Sequence, residues 1–239
     1  MRPRLLVCDL GRRFYEETLE QQRDLCRLRM GGDLADDVLL LVEHEPVITL
    51  GRGTRASSLP VPVADLQRRG IGVHEVERGG DVTYHGPGQL VGYPILDLRQ
   101  HREDLHWYLR QLEAGLIHAL GHLGVEAERR AGLTGVWTRG RKIASIGIHV
   151  KQWVTFHGFA LNVNTNLSAF DLIVPCGIPD VVMTSVAREL SRTDPAALWE
   201  EARRDVTAAF AEVFGFGEVE VANSFPGATL LHSTSPNSI

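Results

Sequence analysis

Two residues of the sequence could work together as a nucleophile and its base. Cys176 stands between Pro175 and Gly177 at a predicted bend, which would leave its sulfur accessible and let backbone amides approach a bound carbonyl. Lys142 comes directly before the alternating run 143–148, so a strand would fix its position. The pair predicts a cysteine that carries an acyl group and a lysine that sets its protonation.

The thiol needs the amine because a free cysteine, with a pKa of about 8.5, is mostly un-ionised at neutral pH. An ammonium group ~4 Å away, at an effective dielectric constant of ~20, attracts a thiolate by roughly 4 kcal/mol. The chain has two lysines, Lys142 and Lys151, among many arginines, which do not exchange protons near neutral pH. Lys151 falls in a predicted turn. Taken singly, Cys176 is also consistent with a packed loop cysteine, and Lys142 with a surface charge.

A glycine-rich stretch, residues 78–89, could form the floor and rim of a pocket between the two. Its spacing is neither that of a P-loop nor that of a GxGxxG motif, and no helix follows directly. The glycines would instead let a ligand chain pass close to the backbone. Arg78 and His85 are polar groups that could point into the same pocket, although a single histidine is more often structural.

The composition indicates one globular domain. The 239 residues, 44% of them hydrophobic, fit a single catalytic domain over 1–222 and a loosely ordered tail over 223–239. No stretch approaches the ~20 apolar residues of a spanning helix, and the apolar run near the N-terminus is too short for a signal peptide. Three widely spaced cysteines without a CxxC pair indicate reduced thiols. We therefore predict a cytoplasmic protein without membrane contact.

The formal net charge of −5 argues against a general nucleic-acid-binding surface. Locally, however, arginines crowd the approach to Lys142, and they form either a solvated loop or a docking surface for an acidic protein. These arginines are Arg129, Arg130, Arg139 and Arg141. His118 and His122 have the i, i+4 spacing of a metal pair on a helix, but no third ligand accompanies them, so no metal site is predicted.

The elements that would position these residues do not follow a strict alternation of strand and helix. Apolar runs predict strands over 5–9, 38–42, 47–50, 73–76, 81–84, 89–98, 134–148 and 153–163. Helical periodicity predicts helices over 14–30, 105–123 and 195–214, the last with Asp194 as its N-cap. Residues 86–88 are typical of a hairpin, and a turn is predicted near Lys151 and Gln152. We predict an α+β fold with a mixed β-sheet flanked by helices.

Several ordered motifs resemble those of the lipoyl(octanoyl) transferase family, over about residues 38–190. They are residues 78–89 with Tyr93-Pro94, Gly135-Val136-Trp137, residues 142–147, His157-Gly158-x-Ala160-Leu161-Asn162 and residues 175–178. Thr184-Ser185-Val186 is similar to a conservative variant of a further family element. Chance agreement of this many motifs in the same order is very improbable.

The resemblance implies a fold similar to the biotin/lipoate protein ligase catalytic domain and an octanoyltransferase that uses no cofactor. An octanoyl group would pass from acyl carrier protein to Cys176 as a thioester, and then to a lysine of a lipoyl domain, with Lys142 as the partner and base. Expected acceptors are the lipoyl domains of 2-oxoacid dehydrogenase complexes and the glycine cleavage H protein. The implied substrate site comprises Arg78, Gly79, Gly80, Asp81, Val82, Thr83, Tyr84, His85, Ser145, Ile146, Gly147, Gly158, Phe159 and Ala160.

Two alternatives stand beside this prediction. One is an ATP-dependent lipoate–protein ligase on the same scaffold, which forms an acyl-adenylate and needs no nucleophilic thiol. The run 85–89 and the setting of Cys176 favour the transferase. The other is a non-catalytic acyl- or biotin-binding module. The sequence leaves the acyl-chain preference and the oligomeric state open.

Overall fold

The computed structural model describes residues 3–222 and residue 225. A mixed β-sheet forms the centre of the molecule. The strands of that part of the chain are β1 (Arg4–Arg13), β2 (Asp37–His44), β3 (Val47–Leu50), β4 (Gly72–Glu75), β5 (Thr83–His85), β6 (Gln89–Ile95), β7 (Glu128–Arg130), β8 (Leu133–Thr138), β9 (Arg141–Lys151), β10 (Val154–Asn162) and β11 (Glu218–Ala222). The main sheet has the order β11-β1-β2-β6-β10-β9-β8-β7, and a smaller sheet has the order β4-β3-β5. Strand β1 pairs in parallel with β2 and β11, while the other neighbours in the main sheet are antiparallel.

Helices cover both faces of the main sheet. The helices of the described chain are α1 (Tyr15–Gly31), α2 (Val63–Arg68), α3 (Leu105–His122), α4 (Val186–Leu190) and α5 (Pro195–Phe214). In β2, Leu39 and Leu41 pack in the core beneath α3 and α5, whereas Val38, Leu40 and Val42 pack in the core beneath α1. Because both faces of β2 are buried, its sequence is a continuous apolar run. The predicted α+β class with a mixed sheet flanked by helices is confirmed.

Two predicted local structures are wrong. The single strand predicted over 134–148 is a hairpin of β8 and β9, which turns at Arg139 and Gly140 with φ values of 47° and 77°. Two consecutive positive φ values are typical of the tight turns that suit twisted strands. The hairpin predicted around 86–88 does not form either, because β5 pairs with β3 in the small sheet and β6 pairs with β2 and β10 in the main sheet. The glycines there carry the chain from one sheet to the other.

The predicted long helices, the turn near Lys151 and the N-cap position of Asp194 are confirmed. Asp194 stands at the N-cap of α5 without a capping hydrogen bond, because its carboxylate accepts from Arg192 instead. Apart from Phe225, the predicted tail over 223–239 lies outside the described residues. In the part of the chain that the structure describes, no helix combines the length and apolar character that crossing a bilayer requires.

Candidate active site

Lys142 and Cys176 are brought together by a short ladder between β9 and the segment after the cysteine. The backbone N–H of Lys142 donates to the carbonyl of Val182 at 2.8 Å, and the N–H of Thr184 donates to the carbonyl of Lys142 at 2.9 Å. Cys176 itself has a left-handed backbone with φ 58°, and its N–H donates to the carbonyl of Val82 at 2.9 Å. The fold therefore fixes both side chains through their backbones.

The amine of Lys142 contacts the sulfur of Cys176 directly. Lys142 is 1% exposed, so its charge is stable only if other groups replace the lost water. Its Nζ donates to the sulfur at 3.1 Å and to the carbonyl oxygen of Thr134 at 3.2 Å, and it lies 5.0 Å from the ring centroid of Trp137. The hydroxyl of Ser145 is 3.8 Å from the same sulfur. An ammonium that donates to sulfur stabilises the thiolate over the thiol.

The turn that carries Cys176 is seated on the glycine-rich stretch. Gly177 has φ +64°, and a Cβ atom at this position would lie 2.3 Å from Oδ2 of Asp81. Asp81 is in turn held by the hydroxyl of Ser58, which donates to it at 2.7 Å. The expectation that amides at this bend would face a bound carbonyl is wrong for Cys176 and Gly177, because their N–H groups donate to the carbonyls of Val82 and Val174.

A cavity of about 220 Å³ extends from the Lys142–Cys176 pair into the protein. Most residues of the predicted site line it. These are Arg78, Gly80, Asp81, Thr83, His85, Ser145, Ile146, Gly147, Gly158, Phe159 and Ala160, together with Lys142 and Cys176. The small residues of β9 and β10 leave the space open, while Ile146 and Phe159 make part of its wall apolar. The dimensions and lining suit a narrow, flexible apolar chain.

Three predicted site residues do not line this cavity. Val82 and Tyr84 alternate with Thr83 and His85 along the chain, so their side chains point to the opposite side and join a separate apolar core. Gly79 instead fastens the loop to β9, since its N–H donates to the carbonyl of Ile148 at 2.8 Å. These three residues build the pocket without facing its interior.

Arg78 lines the cavity, but its guanidinium is occupied by the protein itself. It donates to the carbonyl of Thr49 at 2.7 Å, to the hydroxyl of Thr49 at 2.9 Å and to the carbonyl of Asp81 at 2.7 Å. The side chain is buried, and desolvation lowers the pKa of Arg78 from its usual value. Arg78 thus joins the small sheet to the glycine-rich loop, and we interpret it as a residue that shapes the pocket.

Polar aromatic residues at the cavity were not among the predicted site residues. Tyr15, Tyr93 and His157 line it, and His44 lies behind them. Tyr93 and His157 fall in the motifs that carry the family resemblance, so a signal for them was present. Tyr15 resembles a core residue of α1, because its apolar spacing matches that of its helix neighbours. The remaining unpredicted lining residues are Val91, Gly132, Leu133, Thr134 and Ile178.

Hydrogen bonds fix the tautomers of His44 and His85. Nδ1 of His44 faces the carbonyl of Arg13 at 3.2 Å and must donate, so Nε2 accepts from the hydroxyl of Tyr93 at 2.8 Å. Nδ1 of His85 lies 2.7 Å from Oε1 of Gln89 and donates to it, since the amide nitrogen of Gln89 is used elsewhere. Burial lowers the pKa of His44 to about 4 and that of His85 to about 3. Both rings are therefore neutral at physiological pH.

The arginines near Lys142 are partly engaged with buried carboxylates. Arg141 makes a bidentate pair with Glu189 at 2.9 and 2.8 Å, and Arg139 lies 3.7 Å from the same carboxylate. Arg129 donates to Glu113 at 3.1 Å. Arg139, whose side chain is 74% exposed, is the most suitable of these three for contact with a partner.

His118 and His122 lie next to each other on α3, with ring centroids 4.6 Å apart and ring planes tilted by 56°, and Glu212 lies 3.6 Å from His118. Among the residues described, no group of three histidine, cysteine or acidic side chains is arranged to hold a metal ion.

A scan against family models matches residues 15–211 to the lipoyl protein ligase A/B catalytic domain. The chain belongs to this family. Its relatives include the octanoyltransferases of Nostoc sp. (strain PCC 7120), 51% identical over 83% of this chain and 87% of theirs, and of Gloeobacter violaceus, 50% identical over 89% and 91%. The prediction of an octanoyltransferase is confirmed by these relatives, and the ATP-dependent ligase is not favoured.

Solved structures of the family confirm the expected fold. A bipartite lipoate protein ligase from Thermoplasma acidophilum superposes with a TM-score of 0.68, covering 98% of this chain and 93% of its own, at 17% identity. A lipoate-protein ligase A bound with ATP gives a TM-score of 0.68 over 94% and 89% of the two chains, at 14% identity. At such identities the agreement concerns the fold alone.

Proposed function

We propose that the protein moves an octanoyl group from acyl carrier protein to a lysine of lipoyl domains through a thioester on Cys176. The observation that carries this proposal is the 3.1 Å contact between Nζ of Lys142 and the sulfur of Cys176, at a cavity suited to an acyl chain. In the first step the thiolate attacks the carbonyl of the incoming thioester. A new C–S bond forms, the old C–S bond breaks, and the carrier leaves as a thiolate that takes up a proton from Lys142, which is left neutral.

The second step needs a base. The acceptor lysine must lose a proton before its nitrogen can attack the Cys176 thioester, and neutral Lys142 is within reach of that position. The C–N bond then forms and the C–S bond breaks, the attacking nitrogen gives its second proton to solvent, and Cys176 returns as a thiolate beside the newly protonated Lys142. Because amides are more stable than thioesters, the overall transfer runs downhill without ATP.

The surroundings suit these partners. Acyl carrier proteins and lipoyl domains are usually acidic, and exposed Arg139 beside the site would attract them. The Thermoplasma acidophilum structure, whose description includes an E2 lipoyl domain, supports this class of acceptor. We include the lipoyl domains of 2-oxoacid dehydrogenase complexes and the glycine cleavage H protein among the acceptors. A reactive free thiol suits a reducing compartment, so we propose that the protein works in the cytoplasm.

Intact-mass measurement after incubation with octanoyl-acyl carrier protein tests the proposal. We expect one octanoyl adduct on the wild-type protein and on Cys26→Ala, and none on Cys176→Ala. Addition of a lipoyl domain without ATP should remove the adduct and octanoylate the domain. Transfer that persists in Cys176→Ala and requires ATP would instead indicate the ligase reaction.

A further inference from the structure

Glu113 is a buried carboxylate next to the site that the proposed chemistry leaves unused. It lies within α3, and its side chain is 1% exposed. Its Oε2 accepts from Arg110 at 2.6 Å and from Arg129 at 3.1 Å, whereas its Oε1 accepts from the backbone N–H of Gly135 at 3.2 Å. One oxygen therefore balances the arginine charges, and the other holds the backbone of β8.

The peptide that Glu113 holds is the one that contacts the catalytic amine. The N–H of Gly135 and the carbonyl of Thr134 belong to the same peptide group, and in a trans peptide they point in opposite directions. The N–H faces Glu113, and the carbonyl oxygen accepts from Nζ of Lys142 at 3.2 Å. The orientation of a single peptide plane thus decides whether Lys142 meets an acceptor or a donor.

Glycine makes the orientation of this peptide adjustable. Gly135 has φ +126°, where residues with side chains are strained, and a Cβ atom there would lie 2.7 Å from the carbonyl oxygen of Ala144 and 2.9 Å from Cε of Lys142. A bulge between Val136 and Trp137 interrupts the adjoining ladder to β9. Position 135 needs glycine because a side chain would not fit there. Glycine also leaves the peptide before it free to rotate, so a contact from outside β8 must hold that peptide in place.

We propose that Glu113 is a positioning residue that orients the Thr134 carbonyl toward Lys142 and so holds the amine against Cys176. This inference rests on the proposed Cys176–Lys142 mechanism. Its competitor is a purely structural role, in which Glu113 only neutralises Arg110 and Arg129. The two roles use different oxygens of the carboxylate, so they can be separated by mutation.

The test measures alkylation of Cys176 by iodoacetamide as a function of pH, with the adduct located by peptide mass spectrometry. Glu113→Leu removes the acceptor for Gly135 and should slow alkylation at pH 7 by about ten-fold or more, the effect of losing one hydrogen bond to a charged group. The loss should shrink at higher pH, which separates a change in the chemistry of the sulfur from a change in access to it. The matched control, Arg110→Gln, changes an exposed side chain, keeps the acceptor and leaves Arg129 paired with Glu113, so it should react within about two-fold of the wild type.

An unchanged rate in Glu113→Leu would overturn the inference, as would an equal loss in Arg110→Gln. Lys142→Ala in the same assay separates the role of Glu113 from that of the Lys142–Cys176 pair. If it too reacts like the wild type, the proposed dyad fails; if it alone reacts slowly, only the role of Glu113 fails. If Glu113→Leu does not fold, hydrogen exchange of the wild-type amides provides the test. The Gly135 amide should exchange roughly ten-fold or more slowly than the amide of exposed Gly132. Equal rates would show that Glu113 does not hold the Gly135 N–H.

Discussion

Nζ of Lys142 lies 3.1 Å from the sulfur of Cys176, although 34 residues separate them in the sequence. The contact joins the second residue of β9 to a turn with left-handed backbone, and the ladder from Lys142 to Val182 and Thr184 holds it in register. Because the amine is buried, its charge state and that of the thiol depend on each other.

Replacing Lys142 by alanine should lower the reactivity of Cys176 at neutral pH. Without the ammonium no cation stabilises the thiolate of Cys176, so alkylation by iodoacetamide at pH 7 should fall by about ten-fold or more, and the loss should shrink toward pH 9. The chain supplies a matched control in Lys151→Ala, which changes an exposed lysine at the end of β9. Equal loss in both variants would show that the effect is not specific to Lys142.

Gly177→Ala should impair both folding and acylation. The added Cβ would meet Oδ2 of Asp81 at 2.3 Å, and the backbone φ of +64° adds strain, so we expect a loss of about 1–3 kcal/mol in the free energy of unfolding. Acylation of Cys176 should fall by roughly 100-fold because the sulfur moves. Gly215→Ala is the control, since φ there is +74° but no heavy atom lies within 4 Å of the new Cβ. Normal acylation by Gly177→Ala would contradict the proposed role of this turn.

The buried histidines should make the protein less stable in acid. His44 has a pKa lowered to about 4, so between that value and about 6.5 the unfolded chain binds a proton that the folded protein does not. Burial of the neutral His44 ring therefore costs no stability above pH 6.5. As the pH falls from there toward 4, the free energy of unfolding decreases with a slope of about 1.4 kcal/mol per pH unit for one histidine. Urea denaturation at pH 7.5, 6 and 5 measures this change.

His44→Gln should reduce that slope, and the same change at exposed His122 should leave it unaltered. Nitrogen-15 spectra give a direct check of the ring states. Both His44 and His85 should carry their proton on Nδ1 and stay neutral at pH 6. A titration of either ring near pH 6.5 in the folded protein would contradict the assignment.

Arg139→Gln should weaken binding of acyl carrier protein without altering stability. The side chain is exposed and lies 3.7 Å from Glu189, so its loss should cost only a few-fold in affinity at low salt and less at high salt. Arg141→Gln is a poorer test, because Arg141 makes the bidentate pair with Glu189 and its removal leaves that buried carboxylate short of a partner. Calorimetric titration at two salt concentrations, with thermal unfolding alongside, measures both effects. Unchanged affinity at low salt would exclude steering by Arg139.

The sequence was sufficient to predict the elements with strong periodicity and to expect Lys142 and Cys176 side by side. Cys176 and Lys142 were identifiable because their residue types are rare in this chain and because each lies in a specific motif. The hairpin at Arg139 and Gly140 was missed, since an arginine with positive φ is unusual and the apolar pattern continues across it. Strand β5 was assigned to the wrong partner because the sequence does not state which sheet a strand joins.

Side-chain direction limited the prediction of the pocket. Within residues 78–85 the motif alone cannot tell which residues face a ligand, and Val82 and Tyr84 pack on the other side. Glu113 could not be predicted from the sequence, because its proposed role depends on a peptide of β8 that only the folded chain places beside α3. Tyr15 is similar: helix periodicity assigns it to the core, and its position at the cavity follows from how α1 packs on the sheet.

The seating of the Cys176 turn on the glycine-rich stretch has a consequence for the enzyme at rest. The sulfur meets its ammonium partner only while the N–H of Cys176 is bonded to Val82 and Gly177 lies against Asp81. If this turn were lifted away, Lys142 would stay in β9 and the sulfur would lose its ammonium partner. The reactivity of the half-buried sulfur thus depends on the seated turn, and a displaced turn would present a less reactive cysteine.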